Sequence, residues 1–197
     1  MRVLVACEYS GVVRDAFTAL GHEAASCDLL PSDRPGLHYQ CDVLDLLRED
    51  WCWDLMICHP PCTYLCSSGL HWNRRVPGRA VKTDDALLFV EKLLDAPVRR
   101  IALENPVGII STTIRKPDQI IQPWQFGHPE SKQTCLWLQN LPPLRPTKIL
   151  DKPASGRWQN QTPSGQSNLP ETADRWKRRS TTYQGIADAM AEQRGQL

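Results

Sequence analysis

Short apolar runs alternate with stretches of helical spacing from the first residues onward. RVLVACEY (residues 2–9) is a β-branched run that halts at Ser10-Gly11, and behind it Val13, Phe17 and Leu20 recur at helical intervals up to Gly21. That pattern predicts strand, tight turn, helix. EAASCD predicts a second strand ending in Asp28, followed by a loop through Pro31 and Pro35 to Cys41-Asp42 and a short helix over LDLLRED. WDLMICHPP is the most convincing buried strand, closed by two prolines that cannot extend a ladder. The polar stretch from Ser67 to Lys82 predicts a loop, and TDDALLFVEKLLDA predicts a helix with Thr83 as N-cap and two aspartates in its first turn. RRIALENP repeats the strand with a polar end, and FGHPESKQTCLWLQN supplies one or two later strands. From Pro142 to Arg179 the chain turns to Pro, Ser, Gln, Asn and basic residues without periodicity, before a final helix over roughly Thr182 to Glu192.

Strands separated by helical stretches need crossover connections, so the expected fold is α/β, with a mostly parallel sheet covered by helices on both faces. The 197 residues suit one domain, with a core over 1–141, a short basic and polar insertion over 142–180, and a helix over 181–197 that returns to the core. In such sheets ligands sit at the carboxyl ends of the strands, which here carry Glu8, Asp28, Asp42, Cys62 and Glu104.

Composition narrows the class. Hydrophobic residues make up 41% and charged residues 23%, well inside the globular range. No apolar run is long enough to span a bilayer, and MRVLVACEYSG meets a glutamate and a turn too early for a signal peptide, so a cytoplasmic protein without membrane contact is expected. The eight cysteines are scattered in or beside apolar runs and read as free thiols. Cys58, His59, Cys62 and Cys66 lack a second ligand pair at matching distance, so no metal is expected. Net charge is +1, yet residues 1–97 carry nine Lys/Arg against fourteen Asp/Glu, and residues 98–197 carry fourteen against eight. The basic half could face a polyanion or simply water.

Two constellations carry chemistry. The turn at Ser10-Gly11 lets a ligand approach the backbone, and Asp28 stands where a carboxylate meets ribose hydroxyls in dinucleotide-type folds. The turn lacks a glycine-rich pyrophosphate cradle, which favours a ligand with one nucleoside and no phosphate. S-adenosylmethionine fits that description. The second constellation is Cys62 behind Pro60-Pro61, at the mouth of the strongest strand; a thiol acts as nucleophile once its pKa falls or a proton acceptor is coupled to it.

With Pro60-Pro61-Cys62, Ser68-Gly69, Asp85 with Leu87-Leu88-Phe89, Glu104-Asn105-Pro106 and the final YQGIADAMAEQ in this order, the chain resembles the DNA cytosine-5 methyltransferases, in particular their small, phage-encoded type. The resemblance spans nearly the whole chain. It implies a Rossmann-like fold and transfer of a methyl group from S-adenosylmethionine to carbon 5 of cytosine, the base being flipped out of DNA in the host cytoplasm. It implies that Cys62 adds to carbon 6. Glu104, protonated through desolvation, would donate to ring nitrogen 3, while Asn105 orients the strand end. Glu8, Tyr9, Ser10, Gly11, Asp28, Leu29, Asp42 and Pro60 would surround the donor, and Pro61, Ser68, Arg74, Arg75, Lys132 and Thr134 the substrate. Thr63 to Thr83, with His71, Trp72 and arginines, would form a lid.

The pattern departs from the family in three places. Glu8-Tyr9-Ser10-Gly11 replaces a Phe-x-Gly-x-Gly turn, and Glu130-Ser131-Lys132-Gln133-Thr134 replaces a Gln-x-Arg-x-Arg motif. The span from Pro142 to Arg179 is too short for a separate target-recognition domain. Selectivity would then be low or supplied by a partner protein. A related enzyme acting on nucleotides, on RNA or with a modified cofactor, and a non-catalytic nucleic-acid-binding regulator, stand as alternatives.

Overall fold

The computed structural model describes residues 1–48, 52–164 and 167–197. Its strands are β1 (Arg2–Ala6), β2 (Glu23–Asp28), β3 (His38–Gln40), β4 (Leu55–Cys58), β5 (Arg100–Pro106), β6 (Gln119–Ile121) and β7 (Thr134–Gln139). They form one seven-stranded sheet in the order β3-β2-β1-β4-β5-β7-β6. The first five are parallel to their neighbours, and β7 runs antiparallel between β5 and β6. The helices are α1 (Val12–Ala19), α2 (Val43–Leu46), α3 (Ser67–Leu70), α4 (Arg79–Leu94), α5 (Ile110–Thr113), α6 (Arg175–Ser180) and α7 (Gln184–Arg194).

Both faces of the sheet are covered, as the unbroken apolar runs require. Val3, Val5, Leu55 and Ile57 face α1 and α7 and pack with Phe17, Ile186 and Met190. Leu4, Ala6, Met56 and Leu103 face the other way, against Val43 and Leu46 of α2 and Leu87, Val90 and Leu93 of α4. Alternate residues of each strand therefore serve two separate cores. No helix among the described residues is long and apolar enough to cross a membrane.

The expected elements need four corrections. Strand β3 lies inside the predicted loop and β6 lies where no strand was predicted; each is three residues long, too short to show a period, and is held by its neighbour's ladder. The predicted loop over 67–82 contains α3 and a 3₁₀ turn over His71–Arg74. Helix α4 starts at Arg79 behind Gly78, whose φ of 75° is open to glycine, so Thr83 is not an N-cap. It is buried inside the helix, its hydroxyl bonded to Asn73 and to the Tyr64 carbonyl. Helix α2 ends at Leu46, and residues 49 and 50 of the predicted LDLLRED helix lie outside the described residues.

Candidate active site

The chain runs outward from β1 through β2 to β3, then returns to lay β4 on the other side of β1. This reversal leaves a crevice at the carboxyl ends of the strands. A cavity of ≈ 430 Å³ opens there, lined by Cys7, Asp28, Leu29, Asp42, Pro61 and, from one side of α4, Asp85 and Phe89 among others. The volume is that of a small-molecule site. Asp28 Oδ1 accepts from the Leu30 amide at 2.9 Å, and Asp42 caps α2 by accepting from Leu44 N at 2.9 Å. Each carboxylate is thus fixed by one oxygen.

The β1 turn is built differently from the expectation. Strand β1 stops at Ala6 because Cys7 takes a φ of 59°. Glu8 is buried, and its carboxylate accepts from Val13 N at 2.7 Å, Arg14 N at 3.3 Å and Ser10 Oγ at 3.1 Å. It is the cap of α1, occupying the helix's free amides itself. Tyr9 is buried too, with its hydroxyl 2.8 Å from Ser180 Oγ and its ring 5.6 Å from that of Trp176, so it anchors α6. Glu8, Tyr9, Ser10 and Gly11 do not line the cavity; Cys7 does. Pro60 is likewise buried away from it, and Pro61, expected on the substrate side, forms part of its wall.

Beside this cavity the ends of β4 and β5 meet. Asn105 is buried and its side-chain amide donates to the Pro60 carbonyl at 2.7 Å. Cys62 opens a helical turn, its carbonyl accepting from Leu65 N and Cys66 N at 3.0 Å. That turn is stitched to the exit of β5 by Ser67 N to Val107 O and Ile109 N to Leu65 O. Gly108 makes the stitching possible, since a Cβ there would come within 2.0 Å of the Leu65 carbonyl.

Glu104, on β5, is 2.7 Å through Oε2 from His59 Nδ1. Burial pushes the Glu104 carboxyl up, but the hydrogen bond and charge of His59 outweigh it, with help from Lys132 and Thr134, and the net direction is down. For His59 burial pulls down, and Glu104, joined by Glu8, carries the imidazole above its ordinary value against Lys132. The proton of the pair therefore rests on the imidazole. Without a bound base, the basic partner reverses what desolvation alone would do to Glu104.

The Cys62 thiol is pushed up by burial, by Cys66 and by Glu104, while Lys132 and Arg179 draw it down. On balance the thiol is held above its ordinary value. A second cavity, of ≈ 340 Å³, lies alongside, lined by Pro106, Lys132, Asn160, Arg178, Arg179 and Tyr183 among others. The 142–180 segment is folded onto this site as a wall. Asn160 exchanges two bonds with the Ser131 backbone, each 2.9 Å, Lys132 Nζ donates to the Arg179 carbonyl at 2.7 Å, and Tyr183 donates to Glu130. Lys132 and Thr134 both act on the Glu104 carboxyl. Ser68 does not: it is exposed and bonded to Cys66 Sγ. Arg74 and Arg75 are exposed as well, Arg75 lying over the Trp72 ring.

Sequence reasoning weighed His59 only as a metal ligand, named Asn160, Arg178 and Arg179 only within the basic stretch that could meet bases and phosphates, and placed Asp85 and Phe89 only in a motif. Their spacing of four residues puts Asp85 and Phe89 on one side of α4, a signal that was available. Compared with known proteins, the chain matches no family model and no curated sequence.

Proposed function

We propose that this chain is an S-adenosylmethionine-dependent methyltransferase of Rossmann-like fold that acts on carbon 5 of cytosine in DNA, with Cys62 as nucleophile. The observation that carries the reading is the position of Cys62 past the end of β4 and of Glu104 on the adjacent strand β5, tied together by the Asn105–Pro60 hydrogen bond, with a nucleoside-sized cavity that takes Pro61 into its wall. The sheet order supports it: 3-2-1-4-5 is the dinucleotide-binding order, with the reversed β7 replacing a simple sixth strand.

The first cavity fits a nucleoside without phosphates. It offers acids at Asp28, Asp42 and Asp85, apolar walls at Leu29, Val43 and Phe89, and a single lysine, Lys82. Asp28 and Asp42 would hold the ribose and adenine side, and Phe89 and Leu29 the adenine faces. When bound, S-adenosylmethionine supplies an electrophilic methyl group on a sulfonium.

Carbon 5 of cytosine is a poor nucleophile until a thiolate adds at carbon 6 and turns the ring into an enamine. Cys62 forms that bond. Burial holds the Cys62 thiol up on balance, Lys132 and Arg179 work against that, and Glu104 would face ring nitrogen 3 and the exocyclic amine, where charge builds. Asn105 keeps the Cys62 turn and Glu104 in register through Pro60. Arg178, Arg179 and Lys132 offer positive charge to the phosphates of the strand.

The test is mass spectrometry of nucleosides after incubating protein and S-adenosylmethionine with duplex DNA, single-stranded DNA, RNA or dCMP. 5-Methyldeoxycytidine from DNA is expected; no modified base in any arm overturns the reading. One observation favours a second reading, dCMP as acceptor: the 142–180 segment walls the second cavity instead of standing apart as a recognition domain. Product in the dCMP arm alone would select it.

A further inference from the structure

Glu104 faces a chemical difficulty that its neighbour resolves. To donate to ring nitrogen 3 it needs a proton, yet it rests as a carboxylate against His59. We propose that His59 stores that proton and hands it to Glu104 when the base enters, acting as a positioning residue through its 2.7 Å contact with Glu104 Oε2. The inference rests on the methyltransferase reading.

Three features of the pocket support a proton that can move. First, both side chains are shielded, His59 at 9% and Glu104 at 16% exposure, so expelling the remaining water disfavours the ion pair and favours the neutral acid with the neutral imidazole. Second, the far nitrogen of the ring, Nε2, is buried and has no acceptor among the described residues, so nothing locks the ring in its charged form. The acid facing it from the end of β1, Glu8, has its oxygens committed to α1 and Ser10. Lys132, the cation facing the ring from the segment before β7, opposes the imidazolium. Third, the Glu104 charge is among the causes that hold the Cys62 thiol up. Neutralising Glu104 removes that penalty, so one transfer arms both the acid and the nucleophile.

The step balances. The Nδ1–H bond of imidazolium breaks and an O–H bond forms at Oε2, leaving a neutral acid and a neutral ring with its hydrogen on Nε2. As the Cys62 thiolate forms its bond to carbon 6, the carbon 5–carbon 6 π pair shifts into the ring, and nitrogen 3 takes the Oε2 proton. The Cys62 S–H proton would go to solvent water as the thiolate forms. Carbon 5 would then take the methyl group as its bond to the donor sulfonium breaks, the nitrogen 3 proton returning to Glu104 and then to Nδ1. A water molecule would remove the carbon 5 proton as the carbon 6–sulfur bond breaks, and the freed thiolate would regain a proton. Over the cycle one methyl group is transferred and one proton is released to solvent.

The test compares wild type with His59→Asn, which keeps a donor beside Glu104 but no transferable proton, in methylation of duplex DNA across pH. The variant is expected to lose about 100-fold in kcat with donor affinity unchanged, and its remaining activity should rise as pH falls, because Glu104 must then take its proton from solvent. A wild-type kcat and pH profile in the variant overturns the inference. If His59→Asn does not fold, ¹⁵N NMR of the wild-type ring decides: adding S-adenosylhomocysteine and duplex DNA should convert imidazolium signals to neutral ones, and unchanged signals overturn it. An inactive wild type would instead sink the methyltransferase reading.

Discussion

The side-chain amide of Asn105 reaches the Pro60 carbonyl across 2.7 Å and so ties the strand carrying Glu104 to the turn carrying Cys62. That bond joins Ser67 N to Val107 O and Ile109 N to Leu65 O in holding two groups far apart in sequence in register.

Asn105→Ala should therefore damage geometry more than donor binding. Leaving the Pro60 carbonyl without its donor costs about 1–3 kcal/mol, read as a lower midpoint in urea denaturation. The rate of covalent capture by 5-fluorocytosine DNA should fall at least tenfold while calorimetric affinity for S-adenosylmethionine stays the same. An unchanged capture rate would remove Asn105 from the site.

Cys62→Ser is expected to abolish methylation and covalent capture. The hydroxyl stays protonated where a thiolate would form. Binding of S-adenosylmethionine, measured by calorimetry, should survive, because among the residues lining the first cavity the β4 exit contributes Pro61 and not Cys62. Turnover by the serine variant would exclude nucleophilic catalysis at this position.

Asp28→Asn keeps the oxygen that accepts from Leu30 N but removes the charge offered to ribose hydroxyls. A hydrogen bond to a charged group is worth about 1.5–3 kcal/mol, so the Kd for S-adenosylmethionine should rise at least tenfold with the melting temperature nearly unchanged. Equal affinity in both proteins would place the ribose elsewhere.

Arg14 is fully buried, yet its guanidinium donates to Asp15, Ser26, Ser32 and the carbonyls of Arg34 and Pro35. It organises the loop after Asp28, with Gly36 leaving it room: a Cβ there would lie 2.7 Å from the guanidinium carbon. Arg14→Met leaves Asp15 with Arg34 alone and takes the side-chain donor from the Pro35 carbonyl, and should cost about 1–3 kcal/mol in urea denaturation. It should also weaken donor binding, since Leu29 lines the cavity. A loss under about 1 kcal/mol would class the cluster with ordinary surface ion pairs.

The His59–Glu104 pair also sets a pH window for stability. His59 is raised, so its contribution is complete below its unfolded pKa and disappears as pH climbs through the folded value. Glu104 is lowered, so its contribution is complete above its unfolded pKa and disappears as pH falls through the folded value. Denaturation midpoints should peak between the two folded values and drop on both sides, and Glu104→Gln should flatten both slopes. A wild-type profile retained by Glu104→Gln would show that other groups set it.

The strands that fill the core were legible because β1, β2, β4, β5 and β7 are four to seven residues long and built around apolar segments. Strands β3 and β6 were not, since three residues carry no period and pairing alone makes them strands. Gly78 hid the true start of α4, as the acidic first turn after Thr83 imitates a cap. The candidate groups Cys62 and Glu104 could be read from their places past the end of β4 and near the end of β5. Their protonation could not: it depends on His59 meeting a partner forty-five residues away. Glu8 was misplaced for a related reason, because its carboxylate folds back on α1 rather than facing the crevice.

Helix α7 shares one side of the sheet with α1, setting Ile186, Ala187, Met190 and Ala191 against Val3, Val5, Val13 and Phe17 near the other end of the chain. Its entrance is sewn in place by Gly185 N donating to His128 and by the absence of a side chain at Gly185, where a Cβ would strike the Phe126 carbonyl. The core on this side is thus closed by contacts of very large sequence separation. Such contacts form late and slow the search, so a chain emerging from the ribosome carries a greasy, uncovered flank until residues 184–194 arrive, and that flank is where chaperones or aggregation would first take hold.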